Sequence, residues 1–106
     1  MPSIEVGNGI VVHINVFTVA PERQDELVKS LIETVKAASE MPGWISASIH
    51  RSLDGRQVTN YVQFESREAG LRVTQQLFAK GLIQRNTAIG TVSPGQYEVA
   101  FTLARE

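Results

Sequence analysis

An α+β domain built on one antiparallel sheet is what this sequence predicts, on three observations. Two stretches, Ile10 to Val19 and Trp44 to Glu65, are rich in β-branched and aromatic residues that alternate with polar ones. The second is split by Asp54-Gly55, a dipeptide suited to a tight hairpin turn. Each is followed by a segment whose apolar residues recur at helical spacing.

Met1 to Gly9, with its Gly7-Asn8-Gly9 turn, is a loose lead-in, and residues 1–106 form a single domain. The first strand, Ile10 to Val19, places Val12, Ile14 and Val16 on one face and His13, Asn15 and Phe17 on the other. Pro21 suits a first helical turn, and Glu22, Asp25 and Glu26 favour a helix N-terminus. Helix one then carries Leu27, Val28, Leu31, Ile32, Val35 and Ala38 to about Glu40, where Pro42-Gly43 stops it. Trp44 to Arg51 and Gln57 to Glu65 are the two hairpin arms. Ser66 is a good N-cap for a second helix from Arg67 to about Lys80, striped with Ala69, Val73, Leu77 and Phe78. Gly81 to Gly95 is mixed, with one irregular helical turn around Leu82 to Asn86. Gln96 to Ala104 is the last strand, carrying Tyr97, Val99, Phe101 and Leu103.

The resulting order, β-α-β-β-α-β, is that of a ferredoxin-like unit: a four-stranded antiparallel sheet with both helices on one face. If Val12, Ile14 and Val16 pack on the helices, the other face exposes Phe17 and Trp44, an apolar patch that a solitary soluble domain seldom keeps. A C2 homodimer packing the two open faces together would cover it and form a dimeric α+β barrel with room for a cavity.

Composition narrows the function. At 106 residues the chain has room for one core and no second domain. Ten basic and eleven acidic residues, spread evenly, leave no basic footprint for nucleic acid and no polybasic patch for a membrane. The absence of cysteine removes thiolate nucleophiles, thiolate metal sites and disulfides together. No apolar run approaches the roughly 18 residues of a membrane span, and the start lacks the pattern of a secretory signal, so a soluble, cytoplasmic protein is expected.

Within the hairpin, His50 and Asn60 interrupt strands otherwise built to pack, and a polar side chain there must face water, pair or line a cavity. Asn15 points towards the same cavity, while His13, near the start of its strand, falls at the rim. The register poses a conflict. A two-residue Asp54-Gly55 turn pairs His50 with Thr59 and puts His50 and Asn60 on opposite faces. For the two to share a cavity the loop must hold an odd number of residues or a β-bulge must intervene, and such a shift is predicted.

The segments Phe17-Thr18-Val19-Ala20-Pro21-Glu22, Pro42-Gly43-Trp44-Ile45-Ser46-Ala47, His50-Arg51-Ser52-Leu53-Asp54-Gly55 and Asn60-Tyr61-Val62-Gln63-Phe64-Glu65-Ser66, in this order and spacing, resemble the antibiotic biosynthesis monooxygenases. That resemblance implies oxidation of an electron-rich aromatic, such as an anthrone-like polyketide, by O2 as co-substrate with no cofactor and no metal. The protein binds the rings, assists deprotonation and stabilises the anion that passes an electron to O2. By the same resemblance Asn60 donates to a substrate oxygen, and His50 relays a proton. Phe64 stands where the family carries a tryptophan and keeps a stacking face without an indole N–H. Gly70 and Leu71 stand where some members carry a tyrosine. Asn15, Phe17 and Trp44 are the further candidate substrate contacts, and Arg85 falls near a family arginine. Related barrels include cyclases, isomerases and simple ligand binders, which remain the alternative, as does a purely structural dimer module. A haem-degrading role would need a histidine beyond His50, and the chain has none.

Overall fold

The computed structural model describes residues 4–105. Its elements are β1 (Val11–Thr18), a short 3-10 turn (Pro21–Arg23), α1 (Gln24–Ala38), β2 (Trp44–Arg51), β3 (Gln57–Phe64), α2 (Arg67–Ala79), α3 (Leu82–Ile89), β4 (Thr91–Ser93) and β5 (Gln96–Tyr97). The strands form one antiparallel sheet in the order β2-β3-β1-β4, with β5 also pairing to β1. The α+β class and the ferredoxin-like core are therefore as expected. No helix among the described residues is long and apolar enough to cross a membrane.

The face of β1 that meets the helices is the reverse of the expected one. Phe17 is buried with Val19, Leu27, Val28, Leu31 and Val58 in the main core. The β1–β3 register then puts Val11, His13 and Asn15 on this same face, opposite Phe64, Val62 and Asn60. Alternation sends Val12, Ile14 and Val16 to the side away from the helices. The helices take the face that carries His13 and Asn15 and not the all-aliphatic one, so periodicity marks two faces without saying which one they cover.

The C-terminal quarter also departs from the expected pattern. The irregular turn at Leu82 is the first turn of an eight-residue helix, α3, capped by Gly81 in a left-handed conformation. The single long strand from Gln96 to Ala104 is replaced by β4 and β5, and Val99, Phe101 and Leu103 lie in segment 98–105, which has no regular structure. Phe101 and Leu103 are almost fully exposed. β4 and β5 keep one common register on β1, which brings Pro94 across from Asn15. Proline lacks the N–H that a continuous strand would use, so the ladder breaks there and resumes through the Ile14 amide donating to the Gly95 carbonyl at 3.0 Å.

A second cluster, Ala38, Val62, Phe64, Ala69, Val73 and Leu77, joins the middle of the sheet to α1 and α2. The Ser66 hydroxyl accepts from the Ala69 amide at 3.1 Å and fixes where α2 begins, as its sequence suggested. Helices α1 and α3 are joined by a polar network: the Ser30 hydroxyl donates to Asn86 Oδ1, and Asn86 Nδ2 donates to Thr34 Oγ1 at 3.0 Å.

Candidate functional site

Between the inner face of the sheet and the three helices lies a cavity of about 410 Å³. Strands β1, β2 and β3 contribute His13, Asn15, Phe17, Trp44, Asn60, Val62 and Phe64 to its wall. Leu31, Thr34 and Ala38 of α1, Thr74 and Leu77 of α2, and Ile83 and Asn86 of α3 close the other side. Pro94 and Gly95, at the break between β4 and β5, complete it.

Three of these wall residues carry a buried polar atom with no hydrogen-bond partner: His13 Nε2, Trp44 Nε1 and Asn60 Oδ1. Buried polar atoms are nearly always paired, and each orphan costs about 1–3 kcal/mol. All three residues line one space, with the orphaned atoms themselves sealed within its wall. Asn86, equally buried in the same wall, is by contrast satisfied by Ser30 and Thr34.

The chain positions each of these groups by a local device. Trp44 follows Gly43, whose φ of +89° and whose approach to Ala69, where a Cβ would come within 2.4 Å, admit only glycine. A β-bulge between Trp44 and Ser46 then turns the indole to the inner face, across from Phe64. Without it, simple alternation would send Trp44 outward with Ser46 and Ser48. Phe64 in turn lies against His13, ring centroids 4.6 Å apart and planes tilted by 58°. The His13 ring also presses on α2 at Gly70, where a Cβ would stand 2.7 Å from Nε2.

His13 thus sits inside the pocket rather than at its rim. Burial holds its imidazole below the ordinary value of 6.5, because the charged form would lose its water. The signal that could have found it is its two-residue spacing from Asn15 and Phe17. What the sequence could not show is the glycine on a distant helix that makes room for it.

The structure brings Asn15, Phe17, Trp44, Asn60 and Phe64 together, and it places His50 and Arg85 elsewhere. The bulge in the hairpin lies at the far end of β2 from the turn, so the predicted shift does not reach His50, which pairs with Thr59. His50 is therefore on the outer face of the sheet, exposed, with Nε2 3.0 Å from the Ser48 hydroxyl. Arg85 donates from Nε to Ser30 Oγ at 3.0 Å and pairs with Glu33 at 3.0 Å. It opens onto a charged surface groove with Arg23, Glu26 and Lys29 and takes no part in the cavity wall. It ties α1 to α3, a long-range role that sequence spacing does not reveal.

Comparison with known proteins agrees with this geometry. The family model for antibiotic biosynthesis monooxygenases matches residues 10–76. Over 73 residues the chain is 44% identical to the tetracenomycin-F1 monooxygenase of Streptomyces glaucescens, a match covering 68% of this chain and 64% of that protein. Among solved structures, a variant of SnoaB, a cofactor-independent oxygenase from Streptomyces nogalater, superposes with a TM-score of 0.80 at 21% identity, covering 92% of this chain and 99% of that one. The ActVA-Orf6 monooxygenase of Streptomyces coelicolor, in complex with nanaomycin D, gives 0.76 at 24% identity, covering 92% and 93%. Those two likenesses establish the shared fold. The family match, which spans the three strands that carry His13, Trp44 and Asn60, shows that this chain belongs to the antibiotic biosynthesis monooxygenase family.

Proposed function

We propose that this protein is a monooxygenase that oxidises an electron-rich, enolisable aromatic of the anthrone type with O2, without a cofactor. The observation that carries the reading is the composition of the cavity: an apolar, aromatic-lined space with His13, Asn15 and Asn60 set into its wall. Its volume falls in the range of about 300–1,000 Å³ usual for small-molecule sites. Similarity to a monooxygenase of tetracenomycin F1 supports the substrate class.

The chemistry asks little of the protein. A substrate CH2 between two aryl rings loses a proton, and the enolate passes one electron to O2. Recombination forms the C–O bond of a hydroperoxide, which takes up a proton and loses water to leave a quinone carbonyl. One oxygen atom ends in product and the other in water. The wall supplies a flat stacking surface in Phe64 and Phe17 and polar contacts for the substrate oxygens from Asn60 and Asn15. Phe64 lacks the N–H of the tryptophan that the family resemblance implies there, and Trp44, directly across the ladder from it, adds a second aromatic face to the same space. The homodimer belongs to the same reading, supported by the outer sheet face with Ile14 and Val16 half-buried and by the exposed Phe101 and Leu103.

The test is oxygen uptake with a panel of anthrones under 18O2. One labelled atom per quinone, formed in step with O2 consumption, is expected. Turnover without O2 consumption would instead assign a cyclase or isomerase, and no turnover of any anthrone would sink the reading. Light scattering after size exclusion reads the dimer directly, and a monomer at micromolar concentration would refute that part.

A further inference from the structure

We propose that His13 is the base that takes the proton from the substrate, and that the absence of a side chain at Gly70 is what gives its ring a place in the pocket. The inference rests on the oxygenase reading above and adds to it the identity of the proton acceptor. Deprotonation of an anthrone needs a group with a lone pair and an accessible pKa at the substrate. Among the described residues lining the cavity, His13 is the one titratable side chain; the other polar ones are amides, hydroxyls and the Trp44 indole. Its Nε2 is sealed against Gly70 without a partner, which leaves Nδ1, engaged by no protein hydrogen bond, as the nitrogen that can meet a substrate.

The surroundings of His13 are uncharged on every side. Across the strands it faces Val62 and Gln96, its ring leans on Phe64, and α2 meets it at Gly70. The charged residues of α2, among them Arg67, Glu68 and Arg72, are exposed and outside the cavity wall. The resting imidazole is therefore neutral near pH 7, as a base must be. With its hydrogen on the sealed Nε2, Nδ1 accepts the proton leaving the substrate, and the C–H electron pair stays behind as the enolate. The imidazolium and enolate then form an ion pair in a dry site, where their attraction is strong and offsets the burial that otherwise disfavours the charged ring. The same proton is available to the peroxide oxygen once O2 has been reduced. Gly70 is a positioning residue in this scheme, because even a methyl group there would meet Nε2 at 2.7 Å.

Anaerobic mixing with an anthrone whose enolate absorbs at longer wavelength than its neutral form separates proton removal from oxygen chemistry. Wild type is expected to develop the enolate band, and His13→Gln to bind the anthrone without it; in air, His13→Gln should lose about 10²–10⁴-fold in turnover. Free imidazole should restore part of the rate to His13→Ala. A full enolate band in His13→Gln, turnover within threefold of wild type, or no band in wild type overturns the assignment. Should the variants fail to fold, NMR of wild type decides: the chain has two histidines, and only the His13 ring should move to its imidazolium position when the anthrone binds without O2. An unmoved His13 ring is equally fatal. A wild-type enolate band with no O2 consumption would instead defeat the oxygenase reading while leaving His13 as the base.

Discussion

Asn15 and Asn60 face each other directly across the β1–β3 ladder, on the side of the sheet that lines the cavity. Partners in this position have Cβ atoms about 4.5–5.5 Å apart, so the two amides act on one small region of the pocket. Asn60 is buried, and its carbonyl oxygen is without a partner.

An orphaned buried acceptor weakens the empty fold. Asn60→Leu, which removes it and fills similar volume, should leave stability unchanged or raise it by about 1 kcal/mol in urea unfolding. The same variant should lose most of the thermal shift that a bound anthrone gives wild type. A loss of 2 kcal/mol or more in the empty protein would make Asn60 a structural residue.

Asn86 gives the opposite expectation at similar burial. Its side chain is bonded on both sides, so Asn86→Leu takes away the acceptor of the Ser30 hydroxyl and the donor to Thr34 Oγ1 in the α1–α3 contact. A loss of about 2–3 kcal/mol is expected by urea unfolding. The two leucine variants, measured together, separate polar groups kept for the fold from those kept for a ligand.

Gly70→Ala should gain about 1 kcal/mol in helix propensity and lose more than that to the clash with His13 and Phe64, for a net loss near 1 kcal/mol. In a His13→Ala background only the milder approach to Phe64 at 3.2 Å is left, and the same substitution should become neutral or stabilising. A double-mutant cycle with no coupling between positions 13 and 70 would show that the helix relaxes away from the ring.

Stability should respond to pH through His13. Its folded value lies below the ordinary 6.5, so as pH falls the unfolded chain binds a proton first. The full contribution is present above about pH 6.5 and is lost as pH drops through the folded value, at no more than ~1.4 kcal/mol per pH unit in that window. His13→Gln should unfold with a flatter pH profile between 7 and 5; an identical slope would exclude His13 as the source.

Much of this was legible from residues alone, and the failures share a cause. The hairpin ends, the Ser66 cap and helix one follow from local chemistry, whereas the register shift predicted to bring His50 beside Asn60 does not occur, and His50 keeps the plain pairing with Thr59. Asn60 stood out because a mid-strand amide has few acceptable fates. What escaped were facts set by distant contacts. Phe17 is inside because α1 lands on that face, Arg85 is structural because Ser30 and Glu33 await it, and His13 is inside because Gly70 receives it. Residues 98–105 carry strand-like alternation without a strand, since an alternating pattern needs a neighbour to pair with before it becomes a ladder.

The bulge that turns Trp44 inward also shapes how the molecule meets its own kind. β2 is the last strand on its side of the sheet, so its outer backbone groups are a template on which another extended chain could add. A kink at Trp44–Ser46 and a charged Arg51 at the other end, tied to Asp25, leave little straight edge between them. The residue that opens the ligand site thereby also guards the protein against runaway strand addition and the insoluble fibres that follow from it.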